Sequence, residues 1–146
     1  RIHQCQSKIK NQLKTLGVSI TDIDSATQRA IKILCNVIND SQAQRILSNG
    51  YSFSANEFAV TLNTGSGPLH LIVDRVYQDH CGHLWIVDYK TSEPGEEQSL
   101  EDFYQQEILT YQQKMSLYKM AMERLGYEQV KMALYFPVIG GWREII

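Results

Sequence analysis

Hydrophobic positions follow one rhythm before Tyr51 and another after it. Ile2, Cys5, Ile9, Leu13 and Leu16 recur every three or four residues, which predicts a helix over 2–16 that ends at Gly17. A second helix starts after Thr21 or Asp24 and runs through Ile31, Leu34 and Val37. Asn39-Asp40-Ser41 restarts a short helix to Leu47, closed by Asn49-Gly50. From Phe53 to Leu62 the period drops to two, with Phe58, Val60 and Leu62 alternating against less apolar partners, and this predicts a strand. Thr64-Gly65-Ser66-Gly67-Pro68 reads as a turn between strands. Val73 to Lys90 then reads as two apolar strands around a tight turn. Thr91 to Ser99 is polar, an exposed and mobile loop. Tyr104, Ile108, Tyr111, Met115, Tyr118, Met122 and Leu125 form the apolar seam of a long helix over 100–125. Gly126 ends it, Val130 to Val138 is a last strand, and Trp142 to Ile146 a short tail. Helices, antiparallel strands, a crossover helix and a further strand together predict a mixed α/β (α+β) layer of helices packed on a sheet.

The Val73–Lys90 hairpin is the informative stretch. With Gly82 taking the positive φ of a short loop, the register sets Asp74 opposite Asp88. Lys90 points the way of Asp88 because strand side chains alternate. By the same alternation, Ile72 and Val76 share the face of Asp74, Leu84 and Ile86 share that of Asp88, and Leu71, Val73, Trp85 and Val87 fill the other. Two carboxylates and an ammonium on one face of a buried strand pair need compensation. Two readings are open: a metal site, or ion pairs of Asp74 with Arg75 or Arg143 and of Asp88 with Lys90.

The 146 residues with 43% hydrophobic content suit one globular domain with its own core. No membrane-spanning run or signal-peptide pattern is present. Cys5, Cys35 and Cys81 are scattered and lack Cys-x-x-Cys spacing. They point to free thiols in a reducing, cytoplasmic setting, with no zinc or iron–sulfur cluster expected. The net charge of −2 argues against a strongly basic, freestanding nucleic-acid binder. The Thr64–Pro68 turn lacks the Lys-Ser/Thr ending of a phosphate loop. His3, near the start of a helix, reads as a surface residue, and Glu57 as a strand-edge charge. A start at Arg1 instead of Met fits a piece of a larger protein.

Asp74 followed by Asp88-Tyr89-Lys90 resembles the PD-(D/E)xK nuclease signature, in the variant found at the C-terminus of RecB- and AddA-type helicase–nucleases. The resemblance spans nearly the whole chain. It rests on Val73-Asp74-Arg75-Val76, on Trp85-Ile86-Val87-Asp88-Tyr89-Lys90-Thr91, and on a Tyr-x-x-Gln-x-x-x-Tyr helix motif with Tyr111 and Tyr118 in the tyrosine positions. Lys114 stands in the Gln position, a departure. Arg1-Ile2-His3-Gln4 resembles the end of the family's Gly-x-x-x-His helix. The resemblance implies a restriction-endonuclease-like core with extra N-terminal helices, forming a single nuclease domain over 1–146 of a larger helicase–nuclease. It implies His3, Asp74, Asp88 and the Tyr89 carbonyl as ligands of Mg²⁺ or Mn²⁺, with Asp74, Asp88 and Lys90 catalytic. Tyr111, Gln113, Lys114 and Tyr118 would border DNA, and Glu57 would be a second-tier carboxylate. The expected activity is that of a deoxyribonuclease, an exonuclease on broken ends in repair and recombination. Its partners would be DNA and a helicase domain or second subunit, with ATP used only by the helicase part and no membrane involved. The alternatives are an inactive nuclease-fold module that binds DNA or a partner, and a freestanding resolvase or restriction-like enzyme.

Overall fold

The computed structural model describes residues 3–146, and the side chains of residues 4–146. A 3-10 turn, His3–Cys5, leads into helix α1 (Gln6–Thr15), followed by α2 (Ile23–Asn39) and α3 (Ser41–Leu47). Asp40 caps α3 by accepting the backbone N–H of Gln42 at 2.9 Å. Strands β1 (Ser54–Thr64), β2 (Gly67–Gln78) and β3 (Leu84–Tyr89) come next, then α4 (Leu100–Arg124), β4 (Val130–Phe136) and β5 (Gly141–Ile145). Ser99 caps α4 by accepting from Asp102 N at 3.1 Å, and Glu101 and Asp102 set negative charge at its N-terminus.

The sheet has the order β1-β2-β3-β4-β5. Only β3 and β4 run parallel; α4 is their crossover, and the other neighbours are antiparallel. This is the predicted mixed α/β fold: a five-stranded mixed sheet flanked by helices. On one face, Val76, Leu84, Ile86, Met132 and Leu134 pack with Phe103, Met115, Tyr118 and Met122 of α4. On the other, Tyr77, Trp85, Val87, Ala133 and Tyr135 pack with Ala43 and Ile46 of α3 and with Val37 of α2.

Four expectations change. The predicted tail is a strand, β5, paired with β4 from Phe136↔Gly141 to Met132↔Ile145. Gly141 makes this possible, because a Cβ there would overlap the Tyr104 hydroxyl. Leu125 lies past the end of α4 and is 56% exposed, so the apolar seam stops at Met122. The 91–99 loop is tied down: Ser92 Oγ donates to Glu107 Oε2 at 2.9 Å, and Arg29 donates to the Thr91 carbonyl at 3.1 Å.

The fourth change bears on the site. Val73 lies in the α4-side core together with Val76, while Ile72 is 60% exposed. The face assignment that grouped Ile72 with Val76 and set Leu71 and Val73 opposite therefore fails along the first half of β2. The pairing of β1 with β2 runs from Asn56↔Arg75 to Phe58↔Val73 and passes over Glu57 and Asp74. Glu57 has φ 48, in the left-handed region that a side chain disfavours. A left-handed residue breaks the two-residue alternation, and the faces exchange there. The Asp88 half is as read, with Leu84 and Ile86 in the α4-side core and Trp85 and Val87 opposite.

Candidate active site

The hairpin has the predicted register, with Tyr77 opposite Trp85 and Arg75 opposite Val87, and Gly82 turns it at φ 88. Pairing stops at Arg75, one step before Asp74 would meet Asp88. There the Asp74 side chain takes over, with Oδ2 accepting the backbone N–H of Tyr89 at 2.9 Å. Asp74 is half-buried and anchored to the peptide that follows Asp88.

Asp88 is 1% exposed on the α4 side of β3. Its charge is met by two ammonium groups. Lys90 lies against Oδ2, and Lys114 from α4 reaches Oδ1 at 3.3 Å. Among the described residues, both carboxylate oxygens are thus met by ammonium groups and by no neutral donor. Lys90 Nζ also sits over the Tyr111 ring, 3.6 Å from its centre. Burial works against the charge of Lys114, but the Tyr118 hydroxyl and the Asp88 carboxylate outweigh it and raise its pKa above the ordinary lysine value. A buried carboxylate met by ammonium groups, with a second carboxylate at the next peptide, suits a hard divalent cation and a phosphate.

The ion pairs of the alternative reading are formed in part. Asp88 pairs with Lys90, but Asp74 pairs with neither arginine. Arg75 turns to the opposite face, is 2% exposed, and donates to Ile46 O at 2.9 Å, Ser48 O at 2.8 Å and Asn56 Oδ1 at 3.1 Å. It closes the carbonyl end of α3, where a cation is favoured. Arg143 pairs with Glu101 at 3.2 Å and lies over the Tyr104 ring.

The remaining candidates divide. Tyr118 is 2% exposed and donates its hydroxyl to the Ile72 carbonyl at 2.8 Å. It ties α4 to β2 and, of the residues expected to border DNA, has the least exposed side chain. Gln113 is exposed, and Tyr111 is half-buried beneath Lys90. The Tyr89 side chain packs on the α2–α3 face, where burial pushes its pKa up to about 12, so only its backbone is available to the site. Glu57 is exposed, at the skipped pair across from Asp74. The side chain of His3 lies outside the described residues.

A family model, the PD-(D/E)XK nuclease superfamily, matches residues 10–140. The chain belongs to this superfamily. A search of curated proteins finds no match. PD-(D/E)XK proteins are generally metal-dependent nucleases, and the match covers Asp74, Asp88, Lys90 and all of α4. His3 precedes the matched region.

The approach of Lys114 to Asp88 was missed in the sequence reading. The signal available was the helix face that Lys114 shares with Tyr111 and Tyr118 beneath the strand of Asp88. Also missed was Asp79 in the hairpin turn, which accepts from the backbone N–H groups of Cys81 and His83 and from Trp85 Nε1, each at 2.9 Å. With Cys81 and His83 it brings three metal-capable donors within 4.8 Å of one another. No helix among the described residues is long and apolar enough to cross a membrane.

Proposed function

We infer that this PD-(D/E)XK domain is a metal-dependent deoxyribonuclease, working as the nuclease part of a helicase–nuclease that processes broken DNA ends. The observation that carries the reading is the buried Asp88 carboxylate, held by two lysine ammonium groups, beside Asp74 anchored on the Tyr89 peptide. Asp74, Asp88 and the Tyr89 carbonyl would hold Mg²⁺ or Mn²⁺, with His3 a further ligand. When bound, the metal supplies Lewis acidity toward water and phosphate. Asp88 holds the Lys90 ammonium at the floor of the site. Lys90 orients the attacking water and offsets negative charge developing on the phosphate. Tyr111 fixes Lys90 from α4, while Gln113 and Lys114 offer exposed polar groups to the DNA backbone. Glu57 serves as an outer carboxylate near Asp74. The helicase attachment and the preference for ends rest on the sequence resemblance.

The test is cleavage of end-labelled and circular DNA with Mg²⁺, with Mn²⁺ and with EDTA. Metal-dependent shortening of linear DNA, with circles left intact, is expected. Metal-dependent nicking of circles would replace exonuclease with endonuclease. A folded protein that binds DNA but cuts neither substrate in either metal would make it an inactive module. The Lys114–Asp88 ion pair is the one observation that favours that second reading.

A further inference from the structure

Asp88 is held by two lysines of different character. Lys90 directly follows the strand of Asp88, its side chain is 13% exposed, and it rests on Tyr111. Lys114 arrives from α4 with a side chain 47% exposed and reaches Asp88 from solvent at 3.3 Å. Its other neighbour is the Tyr118 ring, 5.3 Å away. Lys90 is packed in place, whereas Lys114 is an arm with room to leave. A buried carboxylate needs a counter-charge, and Lys114 supplies one at Oδ1. A divalent cation drawn to the same carboxylate repels that ammonium. With its side chain 47% exposed, the displaced ammonium can turn to solvent and meet an anionic phosphate there.

We propose that Lys114 is an exchangeable counter-ion: it neutralises Asp88 in the metal-free protein, is displaced by the divalent cation, and then binds a phosphate of the nucleic acid. The inference rests on the reading of Asp88 as a metal ligand. It makes Lys114 a positioning residue that couples metal binding to DNA binding. Two consequences distinguish it from a plain surface lysine. Removing its charge strengthens metal binding in the absence of DNA, the reverse of losing a ligand. Its contribution to DNA affinity appears only when metal is bound.

The experiment titrates Mn²⁺ by calorimetry, without DNA, into wild type and the Lys114→Met, Lys114→Arg, Asp88→Asn and Lys119→Met variants. Lys119, also on α4, faces Glu123 outside the site and serves as a control. Lys114→Met is expected to bind Mn²⁺ about tenfold more tightly than wild type. Lys114→Arg and Lys119→Met should match wild type, and Asp88→Asn should lose binding. The salt dependence of DNA binding is then measured with EDTA and with Ca²⁺ in place of Mn²⁺. Lys114→Met should flatten the slope by about 0.9 with Ca²⁺ and leave it unchanged with EDTA. Unchanged or weaker Mn²⁺ affinity in Lys114→Met, with binding lost in Asp88→Asn, overturns the exchange and leaves the metal reading standing. Equal slope changes with and without Ca²⁺ overturn the transfer to phosphate. No Mn²⁺ binding by wild type or Lys114→Met, both folded, overturns the metal reading and the exchange together.

Discussion

Asp79 and Asp88 sit at opposite ends of one hairpin and meet their environments in opposite ways. Asp79 spends both oxygens on its own turn, accepting from two backbone N–H groups, the Trp85 indole and, at 3.3 Å, His83 Nδ1. Asp88 is more deeply buried, yet its partners are two lysine ammonium groups in place of fixed N–H donors. A carboxylate whose lone pairs are filled by fixed N–H donors stabilises structure, and one faced by lysines near solvent keeps lone pairs for a cation. Arg75 repeats the Asp79 pattern on the same face of the sheet, with three acceptors around its guanidinium. The same types of charged residue thus split by partner: bonded to the chain on the α3 side, paired with lysine ammonium groups on the α4 side.

Asp88→Asn gives the sharpest break in this comparison. It should lower single-turnover cleavage of labelled DNA in Mg²⁺ by at least about 100-fold while far-UV circular dichroism stays native. Retained cleavage would place Asp88 with Asp79 as a structural carboxylate. Arg75→Met, next in size, should cost about 3 kcal/mol in urea unfolding, since it strands one buried and one half-buried carbonyl at the end of α3. Cleavage per folded molecule should be kept; a specific loss would mean that α3 anchoring sets the site. Asp79→Ala should cost about 1–3 kcal/mol by leaving the buried Trp85 N–H without an acceptor, again with cleavage per folded molecule unchanged.

The pH dependence carries the same contrast. Burial pushes the Asp79 pKa up, but hydrogen bonds from Trp85, His83 and Cys81 outweigh it and hold the carboxyl below its ordinary value. A lowered folded-state pKa gives stability that is present above the unfolded value of about 3.9 and lost as pH falls through the folded one. Unfolding free energy should therefore drop below about pH 4 in wild type and drop less steeply in Asp79→Asn. Equal slopes would remove Asp79 as an acid-sensitive anchor. The smallest expected effect is that of Cys81→Ser. If Asp79, Cys81 and His83 are a turn and not a metal centre, unfolding free energy should change by less than about 0.5 kcal/mol, with or without EDTA. A fall in stability on chelation of wild type, absent in Cys81→Ser, would reverse that assignment.

Local patterns in the sequence were enough for what depends on neighbours along the chain. The helical period of 100–125, the alternation of β3 and the Gly82 turn specified the elements and the hairpin register, and with them Asp88 and Lys90 on one face. These depend on spacing and on short-range backbone preferences, which composition expresses directly. The tertiary structure decided the rest. The left-handed Glu57 exchanges the faces of β1 and β2 beside Asp74, a break visible only once the two strands are paired. The 142–146 tail becomes β5 because β4 offers it an edge and Gly141 fits against Tyr104. Arg75 finds the end of α3, 29 residues back, while Lys114 reaches Asp88 from 26 residues ahead. A long, flexible cationic side chain has several acceptors within reach, and which one it takes is set by how the helices pack on the sheet.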